Sequence, residues 1–281
     1  NYIVQRGGEG QAPLTTRFFE LCFERVIHQE FPNGLDKYEN SASFRSSSYV
    51  LRAADIAAKD KHSLDSIAAV QYGRVKAGAS KIIFEGLGLK KGDVLFDLGG
   101  GAGNFSIQAA LTTHCYAYSV ELATIRHELA VRLHSATVVH APHVANLVEM
   151  VQGDFRAFPF RFHLPHFLFA NNYNGVFSSR CFKNERPTLD SALCKIAWSS
   201  AKGSRLACFE RLYELEDSIG FDSYFRTWQV SSGKNAVTWT SKPFPVIFYC
   251  KIRDGFPWTQ TSFTFPDCPA LDVKFDWQTA R

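Results

Sequence analysis

A glycine-rich segment directly after a short apolar run is the strongest chemical signal in the chain. Asp97-Leu98-Gly99-Gly100-Gly101-Ala102-Gly103 follows the apolar residues 94–96. Glycines after a strand let the backbone turn sharply and approach a ligand closely, and a helix that follows offers free N–H groups. The spacing is Gly-x-Gly-x-Gly, whereas the dinucleotide fingerprint would require glycine at position 104. Because Asp97 would repel a phosphate, the segment predicts a ligand with a cationic sulfonium or amino acid group. The candidate binding residues here are Asp97, Gly99, Gly101, Gly103 and Asn104.

Two further sites with ligand chemistry follow the next two predicted strands. Glu121 ends one strand about 20 residues beyond the glycines, where an acid can accept hydrogen bonds from ribose hydroxyls. Asp154 and Phe155 follow the other strand, and there a carboxylate can accept from an adenine amino group while a phenyl ring stacks on the base. Each site has an alternative. The glycine segment could be a turn without a ligand, Glu121 a solvated acid, and Asp154-Phe155 an ordinary strand-end turn.

A run of amides and a phenol, Asn171-Asn172-Tyr173-Asn174, follows a fourth predicted strand. In open α/β sheets the ligand crevice lies beyond the carboxyl ends of the strands, so these side chains are candidates to hold a substrate amine. The alternative is a polar turn that uses asparagine for its tolerance of positive φ.

The elements that must position these residues alternate between strand and helix. The predicted strands are 94–96, 115–120, 147–151, 167–170 and 204–209, and the predicted helices between them include 104–111, 123–138 and 188–200. This alternation predicts an α/β fold with a parallel sheet and helices on both faces. Two β-rich segments, 236–240 and 246–252, predict an antiparallel edge, while 14–27, 49–58 and 63–70 predict short helices.

Composition excludes several classes of protein. The 281 residues are 46% apolar and 21% charged, as in a globular chain, and no apolar run approaches the ~20 residues of a membrane span. The chain starts at Asn1, and we expect no signal peptide. The net charge of +4 permits a nucleic-acid or nucleosome partner without requiring one. Seven scattered cysteines predict reduced thiols, and the histidines between His114 and His166 match no standard metal spacing, so we predict no metal.

Three pieces of sequence carry a resemblance to a known family. They are Gln71-Tyr72-Gly73, Asn171-Asn172-Tyr173 and Val237-Thr238-Trp239-Thr240-Ser241-Lys242-Pro243. With the glycine segment, and over about residues 70 to 254, the chain resembles the histone lysine methyltransferases that lack a SET domain, the disruptor-of-telomeric-silencing class. Its small size and short N-terminus are most similar to the compact kinetoplastid members.

The resemblance implies a class I methyltransferase Rossmann-like fold, with a mostly parallel seven-stranded sheet, an antiparallel edge and a small N-terminal helical region. Residues 1–80 would be the N-terminal helical region and cofactor-covering loop, and 81–281 the catalytic domain. S-adenosylmethionine would be the cofactor and S-adenosylhomocysteine the product. Asp97, Gly99, Gly101 and Glu121 would hold the methionine moiety and ribose, Asp154 and Phe155 adenine, and Tyr72 would lie in the covering loop. Asn171 would face the sulfonium, and Tyr173 and Trp239 would wall a channel for lysine.

The sequence departs from the family at three positions. Arg74 and Val75 replace an acid and a Ser or Thr, Gly175 replaces a phenylalanine, and Val246 stands where the family has a channel tyrosine. Fewer bulky walls would change how many methyl groups are added.

From the resemblance we expect a nuclear histone lysine N-methyltransferase that acts on a nucleosome, through core histone and possibly DNA, with no membrane partner. The alternatives are a class I methyltransferase acting on RNA or a small molecule, and a non-catalytic chromatin-binding module. The segment that begins at Asn171 lacks the prolines usual in adenine-methylating RNA enzymes, which counts against an RNA substrate.

Overall fold

A computed structural model describes residues 25–26, 28–29, 32–33, 73–158, 160, 164–173, 177 and 188–255. The helices predicted over 14–27, 49–58 and 63–70 lie largely or wholly outside these residues, and the division into 1–80 and 81–281 stays a prediction. In chain order the elements are α1 (Ala77–Leu87), β1 (Val94–Leu98), α2 (Asn104–Thr113), β2 (Tyr116–Glu121), α3 (Thr124–His140), β3 (Val148–Gln152), β4 (Phe167–Ala170), α4 (Leu189–Ser199), β5 (Arg205–Cys208), α5 (Tyr213–Glu216), α6 (Phe221–Tyr224), β6 (Phe225–Ser231) and β7 (Pro245–Lys251).

These strands form one seven-stranded sheet in the order β3-β2-β1-β4-β5-β7-β6. Strands β1 to β5 pair in parallel, and β7 runs antiparallel to both β5 and β6. This is the strand order of class I methyltransferases, and it confirms the predicted fold with its antiparallel edge. The five predicted parallel strands are confirmed to within one or two residues at each end.

One predicted edge strand is wrong. Residues 236–240 do not form a strand. Their β-pairing is limited to an isolated bridge between Val237 and Val75. The partner of β7 is instead Phe225–Ser231, most of whose side chains are exposed. An exposed edge strand lacks the apolar residues that mark a strand in the sequence. Ala236 and Val237 are apolar for another reason, since both are buried next to the segment before α1.

The core lies on both faces of the sheet because successive strand residues point to opposite sides. Leu95 packs in the cluster beneath α1 and α2, while Phe96 packs in the cluster beneath α4. Both side chains are fully buried. Burial on both faces explains why the parallel strands read as continuous apolar runs.

No helix in the described part of the chain is both long enough and apolar enough to span a bilayer.

Candidate active site

The predicted site residues gather at one edge of the sheet. Asp97 in β1 is in register with Ser119 in β2 and with Phe169 in β4, so neighbouring strands end at nearly the same level. Glu121 ends β2 and Asn171 follows β4 at that level. The carboxyl ends of parallel strands are where an open α/β sheet leaves a crevice for ligands.

The glycine loop between β1 and α2 adopts a backbone that favours glycine. Gly99, Gly101 and Gly103 have φ values of 89°, 58° and 73°. Gly100 has a different reason to be glycine, since a Cβ there would stand 1.9 Å from the Ser119 Oγ. The backbone N–H groups of Gly99 and Gly100 both donate to the Val120 carbonyl, at 2.9 and 3.1 Å, which ties the loop to β2.

Glu121 holds this loop in place. Glu121 is 6% exposed, and its carboxylate accepts from the Gly101 N–H at 2.8 Å and from the Ala123 N–H at 2.8 Å, one bond on each oxygen. A carboxylate has about four lone-pair sites, so both oxygens can still accept from a ribose hydroxyl. The arrangement therefore allows the role predicted for Glu121 and adds a structural one.

Asp97 is buried beneath the same loop, with 2% of its surface exposed. The Ser106 hydroxyl donates to its Oδ2 at 3.1 Å. Burial raises the pKa of Asp97 to about 7, with the Ser106 bond opposing this effect and Glu121 adding to it. A cation placed beside this carboxylate would favour its charged form, so the group suits the positively charged end of a ligand.

Asn104 has a partner within the chain. Its side-chain amide donates to the Val75 carbonyl at 2.9 Å, and the residue is buried. It therefore joins the start of α2 to the segment that precedes α1. Tyr72, predicted in the covering loop, lies outside the described residues, but neighbouring Gly73 is near the site because its carbonyl accepts from the Asn171 amide at 3.4 Å.

Asp154, the predicted adenine acceptor, is occupied by Arg156. The carboxylate accepts from the Arg156 backbone N–H at 2.9 Å and from its guanidinium, whose shortest N–O distance is 2.6 Å. The Nε atom lies 3.1 and 3.0 Å from the two oxygens. An adenine amino group could bind Asp154 fully only if Arg156 gave up one of these contacts. Phe155 is 6% exposed and its ring centroid lies 5.9 Å from that of Phe177.

An aromatic cluster stands beside Asn171. Tyr173 lies 5.6 Å from Trp239 and 5.3 Å from Phe244, measured between ring centroids, and Phe209 lies 4.9 Å from Phe244 and 6.3 Å from Trp239. We call these four residues the aromatic cluster. Phe209 and Phe244 were not predicted as site residues, although Phe209 directly follows β5 and so lies at the carboxyl edge of the sheet.

One face of the Trp239 indole packs against the chain before α1. A Cβ at Gly73 would stand 2.0 Å from the Trp239 ring, so the glycine backbone packs directly on the indole. The indole Nε1 is buried and, in the part of the chain that is described, has no hydrogen-bond partner. Val246 is fully buried in the core, and Phe244 is the residue of that segment that joins the aromatic cluster.

The hydrogen bonds of Asn172 give it a structural role instead of a role in binding a substrate. It is 1% exposed, and its Oδ1 accepts from the N–H groups of Phe209 and Glu210 at 3.0 and 2.9 Å. Its amide donates to the Glu210 carbonyl at 3.2 Å and to Asp190 at 3.3 Å. Asn172 thus ties the end of β4 to the end of β5, while Asn174 lies outside the described residues.

Within the described ranges, no group of three or more His, Cys, Asp or Glu could hold a metal ion. The His114 and His143 rings lie 5.3 Å apart, and burial lowers the pKa of both.

Comparison with known proteins gives one family. The family model described as "Histone methylation protein DOT1" matches residues 55–252. No curated protein matches the chain significantly.

Several solved structures are similar in fold. An RNA methyltransferase from Salinibacter ruber in complex with S-adenosyl-L-homocysteine has 18% identity over 65% of this chain and 95% of its own, with a TM-score of 0.43. A putative RNA methyltransferase from Pyrococcus horikoshii has 14% identity over 66% and 90%, with a TM-score of 0.42. An S-adenosylmethionine-dependent O-methyltransferase from Thermotoga maritima has 14% identity over 66% and 69%, with a TM-score of 0.43. Likeness at this level does not identify a substrate.

Proposed function

The chain belongs to the DOT1 histone methylation family, and from that premise we propose that it transfers methyl groups from S-adenosylmethionine to a histone lysine of the nucleosome core. Family and fold together identify an S-adenosylmethionine-dependent methyltransferase. Lysine as the acceptor and the nucleosome as the substrate are the parts that we propose.

The aromatic cluster is the observation that carries the proposal. Tyr173, Trp239 and Phe244 are partly buried and pack with buried Phe209 at the edge of the sheet where the glycine loop also lies. Gly73 packs on Trp239 and accepts from Asn171, which links the cluster to Asn171. Aromatic faces accommodate an alkyl chain and attract a methylated ammonium through cation–π contact. A wall of this kind suits a lysine side chain that carries one or more methyl groups.

The glycine loop and its two acids fit the cofactor. Gly99 is exposed and carries no side chain, so a ligand can approach the loop backbone there. Asp97 would face the cationic methionine end and Glu121 the ribose, while Asp154 and Phe155 would hold adenine. S-adenosylmethionine, when bound, supplies an electrophilic methyl group.

The residues of this chain would prepare the acceptor for an in-line displacement. A lysine amine has a reference pKa near ~10.4 and must be neutral to react. Aromatic walls disfavour the ammonium form because they cannot replace its hydration, which lowers the pKa of the lysine. We place the release of the proton into solvent before transfer. Asn171, with Tyr173 and Trp239, would orient the neutral amine toward the methyl group, since such alignment contributes much of the rate enhancement.

A nucleosome partner implies a nuclear location and contact with core histone, with DNA close by. The net charge of +4 suits an anionic particle.

The test is methyl transfer from labelled S-adenosylmethionine to intact nucleosomes, free histones and RNA in parallel. We expect label on nucleosomal histone, at lysine by mass spectrometry, and its loss in Asp97→Ala. Asp222→Ala is the matched control, because it removes the same charge from an exposed position in α6. Label on RNA would refute the proposed substrate. Cofactor binding without any transfer would instead indicate a binding module.

A further inference from the structure

A buried hydroxyl without a hydrogen-bond partner lies beneath the glycine loop. Ser119 in β2 is 1% exposed, and its Oγ has no partner in the part of the chain that is described. Burial of a polar group without a hydrogen bond is unfavourable, so most buried hydroxyls have a partner. Ser119 lies near the end of β2, beside the residues that are predicted to hold the cofactor.

The hydroxyl of Ser119 and the carboxylate of Asp97 border the same small volume. The two residues are register partners in β2 and β1, so their side chains point to the same side of the sheet. A Cβ at Gly100 would stand 1.9 Å from the Ser119 Oγ and 3.3 Å from the Asp97 Oδ2. The Ser119 hydroxyl therefore takes up the space beneath the loop that a side chain at position 100 would need.

The carboxylate of Asp97 has few donors in the ligand-free protein. Within the described ranges, its single hydrogen bond comes from the Ser106 hydroxyl, at 3.1 Å from Oδ2. Burial raises the pKa of Asp97 to about 7, and the nearby charge of Glu121 adds to this effect. A cation placed beside Asp97 would favour its charged form, which accepts hydrogen bonds on both oxygens and is stabilised by further donors.

The neighbouring backbone donors of the loop are already used. The N–H groups of Gly99 and Gly100 both donate to the Val120 carbonyl, and the N–H of Gly101 donates to Glu121. Among the buried donors beneath the loop in the described residues, the Ser119 hydroxyl is thus one that is still free.

We propose that Ser119 is a positioning residue whose hydroxyl donates to the Asp97 carboxylate when the cationic methionine end of the cofactor binds. This inference rests on the role proposed above for Asp97. A serine hydroxyl can rotate to present its proton, and a hydrogen bond to a charged carboxylate is stronger than one to a neutral group. Together with Ser106, the hydroxyl holds the carboxylate charged and oriented toward the ligand.

This role predicts opposite behaviour of the protein with and without ligand. Ser119→Ala removes an unsatisfied polar atom from the ligand-free protein, so the free energy of unfolding should stay the same or increase. The same variant should bind S-adenosylhomocysteine, which keeps the ammonium group of the methionine end, about tenfold more weakly. Ser106→Ala is the matched comparison, because it removes a hydroxyl that already donates to Asp97 without ligand. It should lower both the stability at pH 8 and the affinity.

The experiment is a double-mutant cycle on the full chain. Calorimetry at pH 8 measures S-adenosylhomocysteine binding by the unmodified chain, Ser119→Ala, Asp97→Asn and the double variant, and urea unfolding measures the stability of each. We expect Ser119→Ala to weaken binding about tenfold when Asp97 is present and to have little effect in the Asp97→Asn background, because the hydroxyl acts through the carboxylate.

A swapped variant tests rescue of the hydroxyl from the other side of the same volume. Gly100 is not among the glycines with positive φ, so its backbone accepts a serine once the clash with Ser119 is removed. Gly100→Ser/Ser119→Gly should therefore bind S-adenosylhomocysteine more tightly than Ser119→Ala does.

Three results contradict the inference. Equal weakening by Ser119→Ala with and without the Asp97 carboxylate would mean that Ser119 acts through packing alone. Unchanged affinity in Ser119→Ala would exclude the hydroxyl from the site, and a lower stability of ligand-free Ser119→Ala would show that the bond does not depend on ligand. Failure of the role proposed for Asp97 has a different signature, because Asp97→Asn itself would then bind S-adenosylhomocysteine as tightly as the unmodified chain.

Discussion

Replacement of Asp97 by asparagine is expected to stabilise the ligand-free protein at pH 8 while it weakens binding of S-adenosylhomocysteine. The two side chains have nearly the same shape, and the Ser106 hydroxyl can still donate to the amide oxygen as it does to Oδ2. The substitution removes a charge that is buried under the glycine loop. The effect on stability and the effect on binding should therefore have opposite signs.

The pKa of Asp97 sets the magnitude. Burial raises this pKa from 3.8 to about 7. Between those values the folded chain keeps a proton that the unfolded chain has released, so the free energy of unfolding falls as pH rises and levels off above about pH 7. Each pKa unit corresponds to about 1.4 kcal/mol, so the loss between pH 5 and pH 8 is on the order of 2–3 kcal/mol. An asparagine side chain at this position does not titrate and would escape this loss.

The assay is urea unfolding of the ligand-free chain and of Asp97→Asn at pH 5 and pH 8, with calorimetric binding of S-adenosylhomocysteine at pH 8. The difference between the variants isolates Asp97, because other titrating groups contribute similarly to both. We expect the stability of Asp97→Asn relative to the unmodified chain to increase by about 2–3 kcal/mol from pH 5 to pH 8. Binding should weaken by roughly tenfold or more, as for a lost hydrogen bond to a charged group. A relative stability that does not change with pH would refute the reasoning.

Three further predictions concern residues that hold the site. Glu121→Gln keeps the size of the side chain but loses charged acceptors for the loop N–H groups, so calorimetry should show affinity for S-adenosylhomocysteine reduced about tenfold; unchanged affinity would exclude Glu121 from the site. Arg156→Ala frees the carboxylate of Asp154 and should tighten binding of the same ligand several-fold, and weaker binding would mean that Arg156 positions Asp154 instead of competing for it. Asn172→Ala leaves buried N–H and carbonyl groups without partners and should lower the free energy of unfolding by about 2–4 kcal/mol in urea denaturation, while a change below about 0.5 kcal/mol would show that water replaces the amide.

Local patterns in the chain were sufficient for the parallel part of the sheet and for the position of the glycine loop. Strands β1, β2, β4 and β5 could be predicted because strands buried on both faces are mostly apolar, and β3, although only partly buried at the sheet edge, keeps apolar residues at Val148, Met150 and Val151. Asp97, Glu121 and Asn171 could be placed at one edge from the rule that parallel strands end together. The edge strand Phe225–Ser231 could not be predicted, because its exposed side chains lack that apolar signal.

What the sequence determined by itself is which residues reach the carboxyl edge of the sheet; only the tertiary structure decided what each of them does there. Asn172 connects the ends of β4 and β5 because it accepts hydrogen bonds from residues 37 and 38 positions away. Phe244 belongs to the aromatic cluster because its ring packs against that of Tyr173. Arg156 binds the carboxylate of Asp154 in the structure without ligand, and the adenine role assigned to Asp154 from the pattern stays a prediction. Strand and turn patterns depend on neighbours in the chain, whereas the partner of a buried polar group or an aromatic ring depends on which distant segments pack against it.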